Sequence, residues 1–206
     1  MTRIKICGIT RLDDAWAAVD AGADAIGFIF ADSPRQITPD AARTIAKSLP
    51  PFICRVGVFR NASENTVRDI VARIGLNACQ FHGDESPGYC DLCPARPIKR
   101  VDPSRIDSAK SLQAVAAAYR VAVILLDPGG GSGQSFDWSL ARDFPGPLIL
   151  AGGLTPENVG DAIRIARPYA VDVSSGVESS PGRKDPLKLH RFIQAVRSAD
   201  DRCATR

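Results

Sequence analysis

Short apolar segments and amphipathic segments alternate along the whole chain, and this alternation restricts the possible folds more than any other feature. Eight apolar segments have the length and composition of buried strands. They are residues 3–7, 24–30, 53–59, 78–82, 97–101, 121–127, 147–153 and 170–176. The segments with helical periodicity are 12–22, 38–49, 63–75, the short 86–93, 107–119, 155–166 and 185–199. This series predicts an α/β fold in which eight parallel strands close into a (β/α)8 TIM barrel.

The alternative architecture for such a series is an open, doubly wound sheet. That fold is typical of chains with a G-x-G-x-x-G turn after the first strand, and here Gly-Ile-Thr follows the first strand. The eight units also fill the 206 residues evenly, without a linker or a change in composition. We therefore expect a single barrel domain over residues 1–206.

Charge and hydropathy argue against several functional classes. The 26 basic and 23 acidic residues give a net charge of +3 and are spread along the chain, which is not the pattern of a nucleic-acid or membrane surface. No apolar run is long enough to cross a bilayer, and the amino terminus lacks the long apolar region of a secretory signal. We expect a cytoplasmic protein that binds a small molecule, without nucleic-acid or membrane partners.

The cysteines agree with a reducing compartment. Six of them are scattered over the chain, which does not resemble a disulfide framework. Cys90 and Cys93 form a C-x-x-C, but no second ligand pair at a suitable spacing accompanies it. We interpret them as two residues of the short helix at 86–93, and the sequence predicts no metal site.

In a barrel, reactive side chains lie at the carboxyl ends of the strands, on one face. The groups at these positions are Cys7, Arg35, His82, Asp127, Gly152, Gly153, Ser174, Ser175 and Gly176. The loops after strands seven and eight are where such barrels often bind a phosphate through backbone amides. The residues that we expect to contact it are Gly153, Leu154, Ser175, Gly176 and Val177. The alternative is that these glycines only form tight turns.

Two of the groups at the strand ends suit proton transfer. Asp127 ends an apolar strand, where a raised pKa would suit a general acid, or it holds the following glycine turn by side-chain hydrogen bonds. The glycine-rich residues 128–134 behind it are a lid or a flexible loop. Cys7 shares one side of its strand with Lys5, whose charge would lower the thiol pKa. A structural, buried cysteine fits the same position equally well.

A series of motifs occurs in one order along the chain: KICGIT, SPRQI, GVF, QFHG, LLD followed by GGSGQSFDW, AGGLTPENV and VDVSSGVESSPGRKD. Together they resemble phosphoribosylanthranilate isomerase of tryptophan biosynthesis, from residue 3 to about residue 193. The resemblance implies a (β/α)8 barrel that converts N-(5-phosphoribosyl)anthranilate to 1-(o-carboxyphenylamino)-1-deoxyribulose 5-phosphate. This Amadori rearrangement is the third step of the tryptophan branch from chorismate, and the family uses no metal or organic cofactor.

The resemblance also implies roles for individual residues. It places the general base on Cys7 and the general acid on Asp127. It places a contact to the anthranilate carboxylate on Arg35. His82, with Gln80, is expected to face the ligand, although a neutral histidine satisfied by the backbone fits as well.

Two other functions remain compatible with the sequence. The first is another phosphosugar barrel enzyme, such as an epimerase, a histidine-pathway isomerase or indole-glycerol-phosphate synthase. The histidine-pathway enzymes resemble one another in having an aspartate where Cys7 stands, and the synthase is expected to use lysine and glutamates. The second is a binding module without catalysis, which has no need of Cys7 and Asp127 together. The loop after strand six is shorter than in many family members, and the oligomeric state is open between monomer and homodimer.

Overall fold

Eight parallel strands form a closed barrel in which β1 pairs with both β2 and β8, so the sheet has no free edge. The computed structural model describes residues 1–129 and 136–204. In chain order the barrel strands are β1 (Arg3–Cys7), β2 (Ala25–Ile29), β3 (Cys54–Phe59), β4 (Ala78–Phe81), β5 (Arg96–Val101), β6 (Val123–Leu126), β7 (Leu148–Leu150) and β8 (Ala170–Val173). The predicted TIM barrel is confirmed, and the open doubly wound alternative is wrong.

Helices follow most of the strands and cover the outside of the barrel. The α-helices are α1 (Leu12–Ala21), α2 (Pro39–Ser48), α3 (Glu64–Ile74), α4 (Pro87–Asp91), α5 (Ala109–Ala117), α6 (Val159–Ala166) and α7 (Pro186–Ala204). Short 3₁₀ helices lie at Pro103–Arg105, Trp138–Ala141 and Ser175–Val177. The described residues between β6 and β7 thus contain a 3₁₀ helix where the other units have an α-helix.

Local sequence explains where several helices begin and end. Thr38 accepts a hydrogen bond from the Ala41 amide and Pro39 opens α2, as its sequence predicts. Ser63 caps α3 in the same way. Gly22 closes α1 in a left-handed conformation, with a φ of 106°, which other residues rarely adopt.

The structure differs from the prediction at the upper ends of the last two barrel strands. β7 ends at Leu150 and β8 at Val173, because the chain then turns into loops instead of continuing extended. The helix predicted from residue 155 begins only at Val159. A small antiparallel hairpin, β9 (Glu178–Ser180) with β10 (Arg183–Lys184), was not predicted and follows the loop after β8.

Two apolar layers hold the barrel together. The larger one lies between the strands and the helices and contains four fully buried phenylalanines: Phe28, Phe59, Phe81 and Phe192. The smaller one fills the barrel interior, and it consists of Val56, Ala78, Ile98, Leu125, Ile149, Ala151 and Ala170. Because side chains alternate along a strand, Lys5 and Cys7 lie on the same side of β1, and Cys7 lines the cavity above this filled interior.

The two ends of the described chain meet below the barrel. The Thr2 amide donates to an Asp200 carboxylate oxygen at 2.8 Å, and Arg197 on α7 donates to the Thr2 carbonyl at 2.7 Å. These contacts attach the last helix to the start of β1. They also join residues that are nearly the whole chain apart.

Several further predictions concern groups away from the strand ends. No helix in the described ranges is long and apolar enough to cross a membrane, and no described group of three or more His, Cys, Asp or Glu side chains could hold a metal ion. The five described cysteines with placed side chains are free thiols. Cys90 lies in α4 as predicted, but Cys93 lies beyond the end of that helix. The possible lid at 128–134 falls mostly outside the described residues.

Candidate active site

A cavity of about 290 Å³ opens at the carboxyl ends of the barrel strands. It brings together eight residues that the sequence predicts for the site: Cys7, Arg35, His82, Asp127, Gly153, Leu154, Ser175 and Gly176. Val177, the ninth, is buried next to it in the 3₁₀ helix, and its amide lies 3.4 Å from the Ser174 carbonyl. Residues from five of the eight βα loops therefore meet in one place.

The loops after β7 and β8 form one wall of the cavity and touch each other closely. A Cβ atom on Gly176 would lie 1.9 Å from the Leu154 carbonyl oxygen, so only glycine fits there. Gly153 has a φ of +63°, a backbone conformation that favours glycine. The Asn158 side chain fixes the first loop by donating to the Gly153 carbonyl and accepting from the Thr155 amide, both at 2.8 Å.

This wall has the features of an anion site. No described group accepts a hydrogen bond from the amides of Gly153, Leu154 or Gly176, although all three residues line the cavity. Backbone amides that point into a pocket without acceptors bind phosphate well. The glycines hold tight turns, and the amides beside them have no described acceptor, so a phosphate site here stays a prediction.

Cys7 lies against a buried ion pair. Lys5 donates to Asp172 of β8 at 2.7 Å, and both side chains are almost completely buried. Burial would lower the pKa of Lys5, but Asp172 and the thiol hold it above its ordinary value, so the ammonium form persists. A Cβ on Gly27 would lie 2.8 Å from the Cys7 sulfur, so the neighbouring strand must carry glycine to accommodate the thiol.

The thiol itself is harder to ionise than the sequence suggested. Burial raises the pKa of Cys7, the charge of Lys5 lowers it, and the charge of Asp172 raises it again, with a net shift upward. Lys5 lowers the thiol pKa as its position in the sequence predicts, but burial and Asp172 together outweigh this effect. The resting site therefore holds a thiol beside a neutral ion pair.

Asp127 and His82 form a second group across the cavity. Burial raises the pKa of the Asp127 carboxyl against the opposing effects of the Gly129 amide and of Arg100, as expected for a general acid. One carboxylate oxygen accepts from the Gly129 amide at 2.7 Å, so Asp127 also holds its turn. The other oxygen lies 3.8 Å from His82 Nε2. The turn-holding interpretation of Asp127 is confirmed by its hydrogen bond, and the general-acid interpretation, with which the raised pKa agrees, stays a prediction.

His82 is a neutral group in this site. Burial lowers its pKa to about 4, so it carries no charge near neutral pH. Its Nδ1 lies 3.3 Å from the Gln80 side-chain nitrogen, and both residues line the cavity. The described partner of the ring is therefore a side chain, and not the backbone.

Arg35 reaches the cavity from the loop after β2 as one member of a buried triad. Its Nε and Nη2 donate to Glu178, and Glu178 also accepts from Lys184 at 2.8 Å. Burial would raise the pKa of Glu178, but these hydrogen bonds hold it below its ordinary value, so it is ionised. Sequence reasoning missed Glu178 and Lys184, and also Asp172, although Asp172 lies two residues before Ser174 and so shares its side of the strand.

Comparison with known proteins agrees with this geometry. Residues 4–195 match the family of N-(5'phosphoribosyl)anthranilate (PRA) isomerase. The N-(5'-phosphoribosyl)anthranilate isomerase of Acidithiobacillus ferrooxidans is 53% identical over 204 residues, which cover 96% of this chain and 98% of the relative. That of Geobacter sulfurreducens is 49% identical over 205 residues, with 96% and 99% covered.

Solved structures give the same result. The phosphoribosyl anthranilate isomerase of Thermotoga maritima superimposes with a TM-score of 0.87 at 44% identity, covering 96% of this chain and 100% of that one. A further structure, at 43% identity and a TM-score of 0.86, covers 96% and 100%. It is phosphoribosyl anthranilate isomerase in complex with reduced 1-(o-carboxyphenylamino)-1-deoxyribulose 5-phosphate.

Proposed function

Because this chain belongs to the N-(5'-phosphoribosyl)anthranilate isomerase family, we propose that Cys7 and Asp127 perform the proton transfers of that reaction. The enzyme converts N-(5-phosphoribosyl)anthranilate to 1-(o-carboxyphenylamino)-1-deoxyribulose 5-phosphate in tryptophan biosynthesis. One observation supports this assignment of roles. The Cys7 thiol and the Asp127 carboxyl, whose pKa is raised, line the same cavity as the loops after β7 and β8, where three backbone amides have no described acceptor.

Asp127 opens the ribose ring. Its protonated carboxyl gives a proton to the ring oxygen while the C1′–O bond breaks, and the lone pair of the anthranilate nitrogen forms an iminium ion. The raised pKa keeps a larger fraction of the carboxyl protonated. Because His82 is neutral, it adds no positive charge that would ionise the acid.

Cys7 then removes the proton from C2′. The electrons of the C2′–H bond neutralise the iminium ion, and the resulting enolamine tautomerises to the ketone. The ammonium of Lys5 lies beside the sulfur and stabilises the thiolate that acts as the base. β1 and β6 are separated by two strands on one side of the ring and by four on the other, so acid and base face the sugar from different directions.

Two anionic groups hold the substrate in this orientation. The phosphate binds at the amides of Gly153, Leu154 and Gly176, beside Ser175, and the buried Val177 supports the same loop. The anthranilate carboxylate binds Arg35 in the loop after β2. The two sites explain why a ligand with negative charge at both ends is aligned across the thiol and the carboxyl.

The proposal extends to the setting of the enzyme. It acts in the cytoplasm, where the free thiols of the described cysteines would persist. It acts as a monomer or a homodimer, and a structural relative from Thermotoga maritima is described as dimeric. It uses no metal or organic cofactor and has no nucleic-acid partner, since the proposed chemistry needs only one acid, one base and bound anions.

The test is to generate phosphoribosylanthranilate in situ and to follow the loss of its anthranilate fluorescence. We expect Cys7→Ala and Asp127→Asn each to lower kcat by about 10²–10⁴-fold, the usual loss when a general acid or base is removed. Both variants should still bind the reduced product analogue. Cys54→Ala removes another barrel thiol from below the cavity and serves as the matched control with normal kcat. A near-normal kcat in Cys7→Ala would show that the sulfur is structural.

A further inference from the structure

We propose that Glu178 is a positioning residue that holds one edge of the Arg35 guanidinium so that the other edge meets the substrate carboxylate. The inference rests on the proposed function for the identity of that carboxylate. It concerns which edge of the guanidinium binds the substrate and which contacts keep that edge available.

The contacts of Arg35 divide its donors into two sets. Nε donates to the two Glu178 oxygens at 2.9 and 3.1 Å, and Nη2 donates to one of them at 2.8 Å. These bonds occupy the side edge of the guanidinium, which is planar and carries five N–H donors. Nη1 donates to no acceptor in the described ranges, and Arg35 lines the cavity while Glu178 lies behind it, with 4% of its side chain exposed. The end edge, formed by Nη1 and Nη2, therefore remains for a ligand.

Glu178 is itself fixed from behind. Lys184 donates to Glu178 Oε1 at 2.8 Å and to the Ser174 carbonyl at 3.2 Å, and its side chain is fully buried. Lys188 donates to the Glu178 backbone carbonyl at 2.7 Å. The carboxylate therefore cannot turn away, and it fixes the plane of the guanidinium. A carboxylate on a planar aromatic ring can form a two-point contact only in this plane.

The charges of the triad explain why it attracts an anion. Burial lowers the pKa of Lys184, and its ion pair with Glu178 opposes this shift. With both cations protonated, Arg35 and Lys184 carry two positive charges against one negative charge on Glu178, a net charge of +1. An isolated pair of Arg35 and Glu178 would be neutral. Lys184 therefore allows Glu178 to orient Arg35 without cancelling its attraction for the substrate.

The position of Arg35 also relates the carboxylate site to the thiol. A Cβ on Gly8 would lie 2.7 Å from Arg35 Cδ, so the arginine stem lies on the backbone that follows Cys7. A shift of the guanidinium would move the aromatic end of the substrate relative to the sulfur. Glu178 thus sets the geometry of the reaction although it contacts neither substrate nor reacting atoms.

The experiment compares two ligands in the full-length enzyme. One is reduced 1-(o-carboxyphenylamino)-1-deoxyribulose 5-phosphate, and the other is the same compound with a phenyl ring that lacks the carboxylate. We expect Glu178→Gln to weaken the first about tenfold and the second less than twofold, because only the first uses Arg35. In turnover, KM should rise while kcat changes much less. Glu178→Asp, which keeps the charge, should show a smaller loss.

Controls separate this inference from a purely structural role and from the proposed function. Glu64→Gln changes an exposed glutamate of α3 and should leave both ligands unaffected. Equal losses for both ligands in Glu178→Gln, or no loss for either, would overturn the positioning role. A wild-type enzyme that turns over substrate but binds both ligands equally would show that Arg35 does not contact the carboxylate, which also overturns the inference. Absence of turnover in the wild type would contradict the function itself.

Discussion

Two buried ion clusters lie at the same end of the barrel, and they differ in charge balance. Inside the barrel, Lys5 and Asp172 form a pair of equal and opposite charges. At the rim, Arg35 and Lys184 share Glu178, which leaves one positive charge in excess. The first cluster contacts the thiol of the site, and the second contains Arg35, which we propose to bind the aromatic end of the substrate.

The difference separates two tasks that need opposite electrostatics. A proton transfer at a buried thiol needs surroundings that do not fix the sulfur permanently in one ionisation state, and a neutral pair provides them. An uncompensated positive charge attracts a carboxylate more strongly than a neutral pair does. If one neutral cluster performed both tasks, it would bind the anion weakly. If one positive cluster performed both tasks, it would stabilise the thiolate so strongly that the thiolate would be a poor base.

Breaking the neutral pair should have the largest effect. Lys5→Met leaves the Asp172 carboxylate buried without its cation, and we expect the free energy of unfolding to fall by about 3–5 kcal/mol. Urea denaturation measures this change. Arg3→Met on the same strand removes an exposed partner of Asp24, and this control should cost less than about 1 kcal/mol. The double variant Lys5→Met with Asp172→Leu should recover much of the lost free energy of unfolding. A double variant as unstable as Lys5→Met alone would contradict the explanation by an unpaired charge.

Changing the shape of the positive cluster without changing its charge should have an intermediate effect. Arg35→Lys keeps +1 in the triad but loses the planar fork, so KM for phosphoribosylanthranilate should rise about 10–100-fold. Steady-state kinetics measure it, with the free energy of unfolding as a check on the fold. Unchanged kinetics would place Arg35 outside the substrate contact and would leave the triad a structural feature.

The smallest effect concerns the pH profile of kcat/KM. The active form carries protonated Asp127 and ionised Cys7, and the carboxyl pKa lies below the thiol pKa even though both are raised. Activity therefore falls below the carboxyl pKa, because less thiolate is present and no more acid is gained. It falls above the thiol pKa, because the acid ionises further and no more thiolate is gained.

The neutral pair should influence the alkaline side of this profile through its effect on the thiol. The charged groups that face Cys7 are Lys5, Asp172, Lys184 and Arg35. Asp172→Asn removes the one anion among them, so the thiol pKa should decrease and the alkaline limb should move to lower pH. Glu64→Gln serves as a control with an unchanged profile. An alkaline limb that stays in place or moves upward would show that Asp172 does not act on the sulfur.

The sequence predicted the barrel and most of the cavity because both follow from local patterns. Each apolar segment predicts where its own strand ends. This was enough to place Cys7, His82 and Asp127 correctly on one face of the barrel. The partners of these residues could not be found in this way. Asp172 is 167 positions from Lys5, so only the register of the closed sheet brings them together.

The same limit explains why the net upward shift of the thiol pKa and the triad at Arg35 were not predicted. Lys5 next to Cys7 was visible in the sequence, but the charge that cancels it lies on β8. Glu178 lies 143 positions from Arg35, in a hairpin whose short strands have no clear periodicity. The early ends of β7 and β8 were also missed, although glycines follow both strands.

The pairing of β1 with β8 means that the first strand to be synthesised receives its second neighbour last. Until the ribosome has released residues 170–173, Lys5 has no anion and Cys7 has only one flanking strand. A chain stopped shortly before this point would hold most of its helices but would leave an open sheet edge exposed to other chains. The reactive end of this enzyme is therefore complete only once β8 has joined the sheet, and a chain that stops before it lacks the partner of Lys5.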